Sequence, residues 1–177
     1  LKMANGLLSG LGVVKRKVFI SYHHGNDRAY YDAFINAFSN TYNVIHDNSV
    51  ERAVNSDNTD YVIRKIRENF ITGSSCTIVL CGPQTPWRKF VDWEIKATLD
   101  KQHALIGVNL PTNPLNAGNK YTVPDRLHDN IQSGFAVWVD WATFTQSHEA
   151  VRQYIEIAKS KSTQLIDNSR ALRQRNG

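Results

Sequence analysis

The chain has 177 residues, 41% hydrophobic and 21% charged, which suggests one domain with a real core and excludes a disordered or fibrous chain. The net charge of +5 permits contact with phosphates, but the cations are spread along the chain. The densest clusters, Lys15-Arg16-Lys17 and Arg170, Arg173 and Arg175, lack the interleaved aromatics of a nucleic-acid surface, so no nucleic-acid partner is expected.

Residues 1–14 read as an extension ahead of a single domain at 15–177. Their apolar stretch is too short to span a bilayer, and with Lys2 as its one basic residue it does not resemble a signal peptide, so no membrane partner is expected. Gly6, Gly10 and Gly12 precede the first strand rather than follow it. They make no dinucleotide fingerprint, and no Walker A pattern occurs.

Lys17-Val18-Phe19-Ile20-Ser21-Tyr22 is β-branched and aromatic, a strong strand signal. His23 to Asp27 is a loop in which Asn26 or Asp27 can cap a helix carrying Tyr31, Phe34, Ile35 and Phe38 on one face. Tyr42 to His46 is a weaker strand. Asp47 to Asn58 is a polar loop, long for a connection. Asp57, Asn58 or Thr59 starts the next helix, with Val62, Ile63, Ile66 and Phe70 inward and Gly73 closing it.

Cys76-Thr77-Ile78-Val79-Leu80-Cys81 is an apolar run ended by Gly82-Pro83, read as a central strand buried on both faces. Cys76 and Cys81 point to opposite faces and so do not bridge each other; with no Cys/His zinc spacing, a reduced cytoplasm and no metal are expected. After a short loop, Val91, Ile95, Thr98 and Leu99 mark a helix. Ala104 to Asn109 and Phe135 to Trp141 are further strands, and Leu110 to Pro124 is a loop. A last helix starts at Thr145 or Ser147 and is expected to run through Leu165. The expected core includes Val18, Ile20, Ile78, Leu80, Ile106, Val108 and Val137. Strands alternating with helices imply about five parallel strands covered on both faces.

Glu94 stands apart among the helix acids. Its neighbours at helical spacing are Phe90, Val91, Ala97 and Thr98, none charged. Other acids have a cation at that spacing: Asp32 has Arg28, Asp92 and Asp100 share Lys96, and Glu149 and Glu156 share Arg152. A carboxyl among apolar neighbours is poorly hydrated, which raises its pKa from about 4.3. The plainer alternative is a surface acid near a helix amino terminus, favoured by the macrodipole.

These segments together resemble the Toll/interleukin receptor (TIR) family, and most closely the bacterial TIR-like proteins of the Thoeris antiphage system. Lys17 to Tyr22 is similar to the family's first box, roughly "VFISY". Ile66 to Gly82 is similar to its second helix and third strand. Gly82 to Thr85 with Phe90 to Ile95 is similar to the segment written roughly "S-x-W-x-x-x-E-L", whose glutamate falls on Glu94. Gly82 stands where the family has Ser, and its Trp corresponds either to Trp87 or to a position held here by Phe90.

The resemblance implies an α/β, flavodoxin-like three-layer sandwich. It also implies cleavage of NAD at the nicotinamide–ribose bond, with NAD as substrate and no resident cofactor. In some members the ADP-ribose is then cyclised or conjugated, so the resemblance also implies a nucleotide signal read by a downstream effector in antiviral defence, and self-association. Glu94 is then the catalytic carboxylate, and the carboxyl ends of the strands supply Ser21, Tyr22, His23, Asp27, Asp47 and Trp87 to the substrate pocket. Three rivals are weighed. A non-catalytic TIR-like assembly module would release no nicotinamide. A deoxyribosyltransferase would act on deoxynucleosides. A receiver domain would need acids after the first strand and an Asp after the third, where Tyr22-His23-His24 and Gly82-Pro83-Gln84 stand.

Overall fold

A computed structural model describes residues 15–45 and 58–177. Strands β1 (Arg16–Ser21), β2 (Tyr42–Ile45), β3 (Cys76–Cys81), β4 (Ala104–Asn109) and β5 (Val137–Asp140) form one sheet. Its order is β2-β1-β3-β4-β5, and every neighbouring pair is parallel. Around it lie α1 (Arg28–Phe38), α2 (Thr59–Ile66), α3 (Lys89–Asp100), α4 (Asp125–Gln132), α5 (Trp141–Phe144) and α6 (His148–Lys159). This is the flavodoxin-like doubly wound order, whose topological switch point lies between β1 and β3.

Two layers of helix explain why β3 and β4 are buried at every residue and read as unbroken apolar runs. On one face Val18, Ile20, Ile78, Leu80, Ile106 and Val108 pack with Phe34 and Phe38 of α1 and Val151 and Ile155 of α6. On the other, Val79 and Leu105 meet Val91, Ile95 and Leu99 of α3 and Leu127 of α4. Beside them Phe19 packs with Val62 and Ile66 of α2 and Trp93 and Ala97 of α3. Cys76 and Cys81 are free, buried, and in opposite faces' cores, as their spacing implies.

Local signals set the boundaries. Asn58 caps α2 by accepting from the Tyr61 amide, and the helix continues as a wider turn, Arg67–Ile71, to Gly73 at φ +92°. Ser147 caps α6 through the Ala150 amide.

Three expectations change. Val137 is only partly buried, because β5 is an edge strand. Phe135 and Ala136 are buried but lie before the ladder, which starts at Val137. And α6 stops at Lys159 instead of running to Leu165. The polar run Lys159-Ser160-Lys161-Ser162 offers no apolar stripe, and the Ser162 hydroxyl accepts from the Gln164 amide to start a new turn at Thr163–Leu165. From there residues 166–177 run back over α3 and α4, with Ile166 and Leu172 packed against the cores.

The loop 110–124 is held at the sheet's carboxyl edge. Asn109 donates to Asp140 at 2.9 Å, and Asn113 donates to Asn109 at 3.1 Å. The long polar loop from Asp47 lies outside the described residues up to Asn58.

Candidate functional site

Parallel strands deliver their carboxyl ends to one edge, and ligands of such sheets bind there at the switch point. Ser21 is the last residue of β1, and α3 follows β3, so both flank that point. Along β1, Val18 and Ile20 face α1 and α6, so the alternate residues Phe19 and Ser21 face α2 and α3.

Glu94 lies in the second turn of α3 and is 3% exposed, so the burial its apolar neighbours imply is present. The fully buried Ser21 hydroxyl donates to Glu94 Oε2 at 2.5 Å. One turn on, the Thr98 hydroxyl donates to the Glu94 carbonyl at 2.8 Å and lies 2.8 Å from the Thr77 hydroxyl of β3. The carboxylate is therefore fixed at its tip by β1, and its helix is tied to β3 a turn below.

Asp27 forms a second buried acid at the same edge, 1% exposed. Its Oδ2 accepts from the Thr85 hydroxyl at 2.9 Å, and the Thr85 hydroxyl oxygen in turn accepts from the Gly82 amide at 2.9 Å. Among the described residues Oδ1 has no hydrogen-bond partner. Burial pushes the Asp27 carboxyl above its ordinary pKa, although bonds from Thr85 and the His23 backbone act the other way. This network joins the loops after β1 and β3, the two that flank the switch point.

The other expected residues divide. Tyr22 is buried on the α1 side, stacked on Tyr31 with ring centres 4.6 Å apart and tilted against His24 at 4.3 Å. His23 is half-buried in the loop, and its carbonyl accepts from the Asn26 and Asp27 amides. Asp47 lies outside the described residues. Trp87 is 43% exposed, and its described contacts run to the end of the chain: Arg173 lies over the ring at 5.7 Å, and the Trp87 carbonyl accepts from the Gly177 amide. A cleft of about 530 Å³ lined by Pro86, Pro124, Arg170 and Arg173 lies on that side, with neither Ser21 nor Glu94 in its wall.

Asp92 corrects an expectation. It is buried rather than paired with Lys96 or Lys89 on the surface; Lys96 binds Asp100 at 3.0 Å instead. The partner of Asp92 is Arg126 of α4, itself fully buried, at 2.9 Å. Sequence reasoning placed Thr98 on the helix and Thr85 in the family-like segment but gave neither a part in the site. No spacing signal marks Thr85 or Arg126, because their partners lie 58 and 34 positions away.

The family defined by the Thoeris protein ThsB, TIR-like domain, matches residues 19–115. The chain belongs to this family. The matched span of the ThsB TIR-like domain contains Ser21, Asp27, Gly82, Thr85 and Glu94, and ends before Arg126. No curated protein matches the chain. Among solved structures, the TIR domains of the activated Roq1 resistosome directly recognizing the pathogen effector XopQ are similar at 11% identity. They align over 84% of this chain and 86% of theirs, with a TM-score of 0.38.

Among the described residues no three His, Cys, Asp or Glu side chains are grouped to hold a metal. None of the described helices is long and apolar enough to cross a membrane.

Proposed function

We propose that this TIR-like domain cleaves the bond between nicotinamide and ribose in NAD, with Glu94 as the carboxylate that meets the developing charge. The observation that carries the reading is a buried glutamate at the switch point, held at 2.5 Å by the last residue of β1. Breaking that bond builds positive charge on the ribose, as in glycoside cleavage. Nicotinamide departs as a neutral ring, so no proton donor is needed. A fixed carboxylate near the sugar stabilises the cation and can hold its hydroxyls. Ser21 orients Glu94, and Asp27 with Thr85 shapes the adjoining wall. His23 and the loop containing Asp47 would complete the pocket, and Trp87 would stack on a ring of the nucleotide.

Water then adds to the ribosyl C1′ and gives up a proton, releasing ADP-ribose, or a nucleophile of the same or another nucleotide adds there to cyclise or conjugate it, and a downstream effector reads the product in antiviral defence. Self-association is part of the proposal, with activity rising more steeply than protein concentration.

One observation favours a second reading. The Ser21–Glu94 bond also ties β1 to α3, a structural use of Glu94 that a non-catalytic assembly module would share. Incubating the purified protein with NAD, at several concentrations and with Glu94→Gln alongside, separates the two. The enzyme reading expects nicotinamide release that the variant loses. Release by both proteins alike would overturn the role of Glu94, and release by neither would leave the module.

A further inference from the structure

The helix that carries Glu94 is poorly fixed by its own sequence. Arg88 stands at its N-cap and makes no side-chain cap bond. The missing acceptor comes from the far end of the chain: the Lys89 amide donates to Asn176 Oδ1 at 3.0 Å. Further contacts bind the segment 166–177 to the same helix. The Arg173 amide donates to Asp92 Oδ2 at 2.8 Å, and Trp93 Nε1 donates to the Arg173 carbonyl at 2.9 Å. Asn168 donates to Asp100 at 2.8 Å, and Leu172 packs in the cluster of Phe19 and Trp93.

Arg126 is the node beneath this segment. Its guanidinium donates to Asp92 on α3, to Asn168 at 2.9 Å and to the Ala171 carbonyl at 3.2 Å. It is fully buried, so each N–H spent on the segment replaces one lost from water. Asp92 lies two residues before Glu94, on a helix that is rigid over such a distance. A shift of α3 at Asp92 therefore moves Glu94 relative to Ser21.

We propose that residues 166–177 form a strap that sets the position of α3, with Arg126 as a positioning residue that transmits it to Glu94 through Asp92. Its effect on turnover rests on the NAD reading; its effect on α3 does not. The strap and Arg126 both lie outside the span 19–115 that the family match covers.

The test uses the full chain. Leu172→Asp puts a carboxylate into the apolar cluster and lifts the strap without altering α3 or α4. The double change Asp92→Asn with Arg126→Gln removes the charges together, so neither is left buried alone. Hydrogen exchange of α3 amides and kcat and KM for NAD are measured on folded protein. We expect faster exchange across Lys89–Asp100, with kcat down on the order of tenfold to a hundredfold and KM near the parent's. Arg126→Lys, which keeps the charge, should recover part of the loss. If Leu172→Asp does not fold, Trp93→Phe removes the indole bond to the strap, with a part of the buried ring, and is read the same way. Parental exchange and parental kcat in a folded variant would overturn the strap. If the intact protein cleaves no NAD, the cleavage reading falls, and exchange alone decides: faster in α3 upholds the strap, unchanged overturns it.

Discussion

The Asp27 carboxylate occupies the space that a side chain at Gly82 would need. A β-carbon on Gly82 would lie 2.2 Å from Asp27 Oδ1 and 2.6 Å from Oδ2. The family's usual serine at this position is thus incompatible with Asp27 where it stands. Gly82→Ser should cost about 1–3 kcal/mol, the ordinary penalty for overpacking. The pair Gly82→Ser with Asp27→Ala should recover much of that, because the clash needs both partners. Denaturant melts of the two single variants and the double variant measure the coupling. Additive losses would mean the contact is not what excludes serine.

Asp27 also sets a pH dependence. Its folded-state pKa is raised by burial above the ordinary 3.8. A raised carboxyl favours the protonated fold, so its contribution is fully present below 3.8 and is lost as pH rises through the folded value. Asp27→Asn removes the charge that causes this loss. The variant should melt higher than the parent at pH 7 and show a flatter stability profile from pH 4 to 7. A buried acid that costs stability belongs where function retains it, so the same variant should lose activity. Thermal melts across that range, with NAD turnover, check both halves.

The central strand carries a simpler expectation. Ile78 has no exposure and pairs with Ile20 on one side and Ile106 on the other. Ile78→Asp should destabilise by on the order of 4 kcal/mol or more, since it buries an unpaired charge. A parental midpoint in chemical unfolding would contradict the placement of β3.

How much was readable beforehand follows from the range of each interaction. The buried strands were legible because a parallel sheet covered on both faces demands apolar runs. The burial of Glu94 was legible because helical spacing is local, and its neighbours hold no cation. Asp92 misled for the same reason. Lys96 sits four residues on, yet tertiary burial gave Asp92 to Arg126, 34 positions away, and to the Arg173 amide, 81 away. The end of α6 was missed because the apolar residues beyond it, Ile166 and Leu172, serve cores that α3 helps build. Nothing periodic in the sequence records such a return. The Asp27–Gly82 contact was hidden likewise, although a Gly replacing the family's Ser was its one visible trace.

Glu94→Gln tests the site directly. The glutamine oxygen can still accept from the Ser21 hydroxyl, so the tie between β1 and α3 survives while the negative charge goes. Stability should change by about half a kcal/mol or less if that bond is what the fold uses. Turnover should fall about a hundredfold or more if a preorganised charge stabilises the ribosyl cation. The matched control is Asp32→Asn, because Asp32 is half-exposed and, among the described residues, pairs across the α1 surface with Arg28 at 2.9 Å. That exposed pair contributes little, so the control should match the parent in both assays. Asp92→Asn is unsuitable as a silent control, because it strips a buried arginine of its partner. Ser21→Ala completes the set: it keeps the charge but removes the hydroxyl that aims it. We expect intermediate turnover and a stability loss of about 1–3 kcal/mol from the buried acceptor left short of a donor. Nicotinamide release and melting of these proteins give the answer, and parental turnover in Glu94→Gln would leave Glu94 as a tie between β1 and α3 and nothing more.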